Sequence, residues 1–207
     1  MTQGGGIWPV LPTHGPGQRI GLLGGSFNPP HPGHRLISEI ALKRLRLDAV
    51  WWLITPGNPL KEKGNLKPLG ERIEQARAIA AHPRIHVTAI EADVGMSRTR
   101  DTLRYLRRRG PTLRFVWLMG ADNLSGFHRW HAWREIAALV PIAVIDRPGH
   151  TFHGPTGAAA TWLAPYRIKE SDAPVLPFCQ PPAWVFLHGR RSSQSSTKLR
   201  TLSKEGS

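Results

Sequence analysis

Two histidines three residues apart, His31 and His34, close the string Gly24-Gly25-Ser26-Phe27-Asn28-Pro29-Pro30-His31-Pro32-Gly33-His34, whose residue types suit the binding of an anion. Imidazoles one helical turn apart can both donate to the same phosphate. Gly24 and Gly25 let the backbone come close to a ligand, and Pro29, Pro30 and Pro32 stiffen the turn. A helix opening near His34 adds free N–H groups and the positive end of its dipole. A rigid turn with two surface histidines is the plainer account of the pair alone, and the complete string at a strand-to-helix junction weighs against it. The string is not G-x-G-x-x-G, so it is not the dinucleotide fingerprint.

The elements that must position this string follow from hydrophobic pattern. An apolar run over 19–25 ending in paired glycines predicts a buried strand and a tight turn. Leu36, Ile37, Ile40, Ala41 and Leu45 recur at spacings of three and four and predict an amphipathic helix from His34 onward. Further strands are expected over 49–55, 85–91, 113–119, 142–146 and 184–188, with helices from Pro68 to about Ala81, over 99–109 and over 130–140. Residues 56–67 read as an exposed loop, 150–182 can hold one irregular helix, and Ser/Thr residues can cap a last helix over 197–202. Strands alternating with helices imply an α/β fold, a doubly wound, mostly parallel sheet that binds ligands at the carboxyl ends of its strands.

The phosphate string resembles the signature of the nucleotidylyltransferase superfamily, in which a phenylalanine-proline turn precedes a His-x-Gly-His step. Ser195-Ser196-Thr197-Lys198-Leu199-Arg200, which alone reads as a solvated basic tail, is similar to that superfamily's second signature. Within the superfamily the chain is most similar to the bacterial nicotinate-nucleotide adenylyltransferases. Pro56-Gly57-Asn58-Pro59-Leu60-Lys61, Ser97-Arg98-Thr99-Arg100-Asp101-Thr102-Leu103, Gly120-Ala121-Asp122-Asn123 with the later Trp130, and Arg147-Pro148-Gly149 carry the likeness, which spans about 20–202. Gln194 and His131 depart from the family pattern.

The resemblance implies a Rossmann-like nucleotidylyltransferase fold and transfer of AMP from ATP to nicotinate mononucleotide. It gives His34, with His31, the α-phosphate, and Arg200 with Ser195, Ser196 and Thr197 the β- and γ-phosphates. Gly24, Gly25, Ser26 and Phe27 would border ATP, while Gly120 and Asp122 would lie on its adenosine side. Asn58 and Lys61 fall in the loop implied to meet the mononucleotide. Trp130 would stack on its pyridine ring, Thr99 and the backbone at His131 would meet its carboxylate, and Arg147 is a weaker anion contact. Magnesium (Mg2+) would ride mainly on the substrate phosphates, with no protein metal cage. A related transferase acting on nicotinamide mononucleotide or phosphopantetheine is the nearest alternative.

Composition narrows the remaining classes. The 207 residues, 40% hydrophobic and 20% charged, suit one domain over 19–203 behind a flexible segment over 1–18. One cysteine, Cys179, makes neither an internal disulfide nor a zinc thiolate cluster, and a cytoplasmic location is the simpler expectation. His128 and His131 repeat the spacing of a metal pair but lack a third ligand in the sequence. Twenty-eight basic against fourteen acidic residues give +14, which favours an anionic partner. A nucleic-acid-binding α/β protein is therefore the alternative from another class, although the basic residues cluster only at Arg104, Arg107, Arg108 and Arg109.

Overall fold

In the computed structural model the described residues are 10–57, 66–146 and 157–189. Six strands form one all-parallel sheet: β1 (Arg19–Gly25), β2 (Ala49–Ile54), β3 (Ile85–Thr88), β4 (Arg114–Gly120), β5 (Ile142–Ile145) and β6 (Trp184–Leu187). Their order is β3-β2-β1-β4-β5-β6, so the chain reverses its direction of growth between β1 and β4. The carboxyl ends of those two strands therefore flank the crevice where doubly wound sheets take their ligands.

Alternating side chains build two cores. Leu22, Trp51, Trp117, Val144 and Trp184 pack on one face with Leu103 and Leu106 of α4 (Thr99–Arg109) and Ile136 of α6 (Trp133–Leu139). Leu23, Trp52, Val116, Ile145 and Val185 pack on the other with Ile37 and Ala41 of α1 (Pro32–Arg44) and Ala76 of α2 (Leu69–Ala80). All six residues of β2 are buried, as expected of a strand covered on both sides.

Several boundaries differ from expectation. The strand expected over 85–91 ends at Thr88, whose hydroxyl accepts the Ile90 N–H at 3.2 Å and starts the one-turn helix α3 (Ile90–Asp93). The helix expected over 130–140 is broken: a 3-10 turn, Phe127–Arg129, precedes Trp130, and α6 starts only after Ala132 adopts a left-handed conformation (φ 53). α1 opens at Pro32, two residues before His34, because proline's fixed φ suits a first helical position. The region of irregular sequence holds α7 (Ala158–Leu163) and 3-10 segments at Ala164–Tyr166 and Glu170–Phe178. The helix expected over 197–202 lies outside the described residues. Among the described residues no helix is long and apolar enough to cross a membrane.

Candidate active site

β1 ends on paired glycines and delivers the chain into the turn that starts α1. His31 is the N-cap residue, with extended backbone (φ −148, ψ 162), and His34 is the third residue of the helix. The two are locked reciprocally. The His31 N–H donates to His34 Nδ1 at 3.2 Å, and the His34 N–H donates to the His31 carbonyl at 2.9 Å. Because Nδ1 accepts, a neutral His34 ring carries its proton on Nε2. The two rings are 3.8 Å apart, centroid to centroid, and no acidic residue sits in the first turn of α1 to offset its positive end.

A wall of aromatic rings backs the pair. Phe27 is buried at φ 46, a region a bulky side chain occupies only when its surroundings hold it there. Its ring lies 4.5 Å from that of His34 and stacks on Trp52 at 5.1 Å. The Trp52 indole donates to Ser38 Oγ at 2.8 Å, and Ser38 Oγ donates to the His34 carbonyl at 2.9 Å. Gly24 meets a demand from the protein itself, since a Cβ there would come within 2.4 Å of Cη2 of Trp117 on β4.

Beside this turn, the buried Arg72 of α2 holds backbone rather than carboxylate. Its guanidinium donates to the carbonyls of Ser26, Thr55, Pro56 and Lys67. Burial lowers its pKa. Beyond the end of β3, the Thr102 hydroxyl donates to Glu91 Oε1 at 2.8 Å, and burial raises the Glu91 carboxyl above its ordinary value.

The described residues include Trp130, His131 and Thr99 of the expected acceptor side and Gly120 and Asp122 of the expected adenosine side. Gly120 caps α5 (Ala121–Leu124) at the carboxyl end of β4, and Asp122 is exposed in its first turn. Trp130, half-buried, meets Phe127 edge-on at 5.4 Å and Trp117 at 6.1 Å, so one indole, Trp117, touches both the Gly24 turn and Trp130. Arg98, the N-cap of α4 and the residue before Thr99, reaches the exposed His131 with Nη1 to Nε2 at 3.4 Å. Cys179 is half-buried, and burial pushes its thiol up, away from nucleophilic character. Asn58, Lys61, Arg147, Ser195, Ser196, Thr197 and Arg200 lie outside the described residues. Among the described residues no three His, Cys, Asp or Glu side chains group as metal ligands.

Sequence reasoning missed Arg72 and Ser38. The available signal was polarity on an apolar stripe: Arg72 falls among Leu69, Ile73, Ala76 and Ala80 of α2, and Ser38 among Ile37, Ala41 and Leu42 of α1.

A parallel sheet with a histidine-bearing helix mouth at its switch point defines a nucleotide-handling α/β protein. The model of the cytidylyltransferase-like family matches residues 22–202, and the chain belongs to that family. It is 60% identical over 183 residues to the probable nicotinate-nucleotide adenylyltransferase of Methylorubrum extorquens (strain PA1), covering 88% of this chain and 99% of that one. To the protein of the same name from Rhizobium meliloti (strain 1021) it is 54% identical, over 88% of this chain and 97% of that one. In fold it is similar to the Plasmodium falciparum nicotinic acid mononucleotide adenylyltransferase complexed with NaAD. The TM-score is 0.63 at 18% identity, over 89% of this chain and 83% of that one.

Proposed function

We propose that the chain is a nicotinate-nucleotide adenylyltransferase, which joins the AMP unit of ATP to nicotinate mononucleotide in NAD biosynthesis. A phosphate oxygen of the mononucleotide attacks the α-phosphorus of ATP. The bond from that phosphorus to the bridging oxygen breaks, and pyrophosphate leaves with the electron pair. The attacking oxygen is already ionised at neutral pH, so no protein base or nucleophile is needed. Catalysis reduces to alignment and to stabilising charge on the equatorial oxygens.

The observation that carries this reading is the reciprocal lock of His31 and His34 at the mouth of α1, on the strand that borders the switch point. With Nδ1 of His34 engaged, Nε2–H donates to the α-phosphate, and that bond strengthens as charge builds. Ser195, Ser196, Thr197 and Arg200 grip the departing pyrophosphate, Asn58 and Lys61 meet the mononucleotide phosphate, and Asp122 accepts from ribose hydroxyls. Trp130 faces the pyridine ring, with Thr99 and the backbone at His131 near its carboxylate. The turn offers imidazoles and backbone N–H groups, which suit an anion and not a hard cation, and this donor set fits magnesium carried by the triphosphate. When bound, magnesium neutralises phosphate charge.

Pyrophosphate release measured with ATP and magnesium tests the reading, with nicotinate mononucleotide, nicotinamide mononucleotide and phosphopantetheine as parallel acceptors. Nicotinate mononucleotide should give the highest kcat/KM. A preference for phosphopantetheine would overturn the reading.

A further inference from the structure

Arg72 is 1% exposed. Four of the five donors of its guanidinium are used on backbone carbonyls. Nε donates to Lys67 at 2.9 Å, Nη1 to Ser26 at 2.6 Å and to Thr55 at 2.9 Å, and Nη2 to Pro56 at 3.2 Å. Its partners among the described residues are all carbonyls, whose dipoles offset the buried charge in an arrangement that needs every bond in place.

The four carbonyls come from three stretches of chain. Ser26 lies in the phosphate turn after β1, Thr55 and Pro56 follow β2, and Lys67 precedes α2. Asn28 Oδ1 accepts the Lys67 N–H at 3.3 Å, a second tie between the first and third stretches. The Thr55 N–H donates to the Gly25 carbonyl at 3.1 Å, a second tie between the first and second. A planar fork with fixed donor directions is the one side chain able to fix three such segments from one point.

We infer that Arg72 is a positioning residue: it holds the phosphate turn in register with the residues after β2 and before α2, and so sets the ATP side of the site against the acceptor side. Its kinetic consequence rests on the adenylyl-transfer reading above; its structural consequence does not.

Arg72→Lys tests both. An ammonium lacks the fork and has three donors, too few for the four carbonyls. In protein that still unfolds cooperatively, kcat should fall at least tenfold and the KM for nicotinate mononucleotide should rise several-fold. A purely structural residue would lower the melting temperature and leave both constants unchanged per folded molecule, which would overturn the inference. Native-state hydrogen exchange of the unliganded wild type gives an answer even where the variant fails to fold. The hydrogen-bonded amides of Thr55, Lys67 and Arg72 should open as one unit, with a common opening free energy and denaturant dependence. Three separate openings would sink the idea. Wild type that exchanges as one unit but releases no pyrophosphate with nicotinate mononucleotide would defeat the functional reading and leave the coupling standing.

Discussion

The Ser38 hydroxyl donates to the His34 carbonyl at 2.9 Å while it accepts the Trp52 indole N–H at 2.8 Å. A side-chain bond back to the carbonyl four residues earlier thus pins the first turn of α1 to β2. Ser38→Ala leaves the buried Trp52 N–H without its acceptor, at a cost of about 1–3 kcal/mol. Trp52→Phe in the Ser38→Ala background removes that orphaned donor and should recover part of the loss. Chemical denaturation of the single and double variants measures this, and additive losses would refute the coupling.

His34→Ala should lower kcat by about 10²–10³, the usual cost of losing one donor to transition-state charge. ATP affinity should weaken only modestly, because the rest of the turn remains. Turnover and equilibrium ATP binding, measured on the same preparation, separate the two effects. Near-normal turnover would remove His34 from the mechanism.

Gly24 and Trp117 occupy one space. Gly24→Ala places a methyl 2.4 Å from the indole and should destabilise by about 1–3 kcal/mol through overpacking. The ring that must yield also touches Trp130, so the KM for the acceptor should rise as well. Trp117→Leu in the same background frees that space and should restore part of the lost stability. Equal destabilisation with and without the second substitution would contradict this packing account.

Glu91 gives the fold a pH dependence of defined sign. Burial is the main cause raising its carboxyl above the ordinary 4.5, against the opposing hydroxyls of Thr102 and Thr55. The folded state therefore binds this proton more tightly than the unfolded chain. The resulting stabilisation is fully present below about 4.5 and is lost as pH rises through the folded value. Glu91→Gln keeps an acceptor for Thr102 but cannot ionise. Its stability relative to wild type should improve with rising pH, and a constant difference across a pH series of urea denaturation would exclude the effect.

The strand-turn-helix that carries His31 and His34 was legible because glycines, prolines and an apolar stripe mark it locally. Strand order was not, since alternation says that strands are parallel without saying which are neighbours. The turn at Trp130 was misread for a physical reason: Trp130 and Trp133 have helical spacing, but the turn of chain between them is fixed by the left-handed Ala132, which a composition of good helix formers conceals. Likewise the apolar pattern ran past Thr88, where the hydroxyl accepts the Ile90 N–H and the chain turns out of the strand. Arg72 was invisible as a site residue because its partners are carbonyls, which every residue owns, and only the fold selects four of them.

Ala132 sits at φ 53, ψ 39, between Trp130 and the first residue of α6, where most residues with a Cβ are strained by about 1–2 kcal/mol. Glycine removes that strain but enlarges the freedom of the unfolded chain by a similar amount, so Ala132→Gly should be nearly neutral in stability. A β-branched side chain has no such relief, and Ala132→Val should lose about 1–3 kcal/mol. The kinetic signature should differ from the thermal one. Both substitutions loosen or shift the turn that places Trp130, so both should raise the KM for nicotinate mononucleotide while leaving that for ATP near its starting value. Thermal unfolding with acceptor and ATP titrations checks the pair. If valine is tolerated as well as glycine, the left-handed turn is not what orients Trp130.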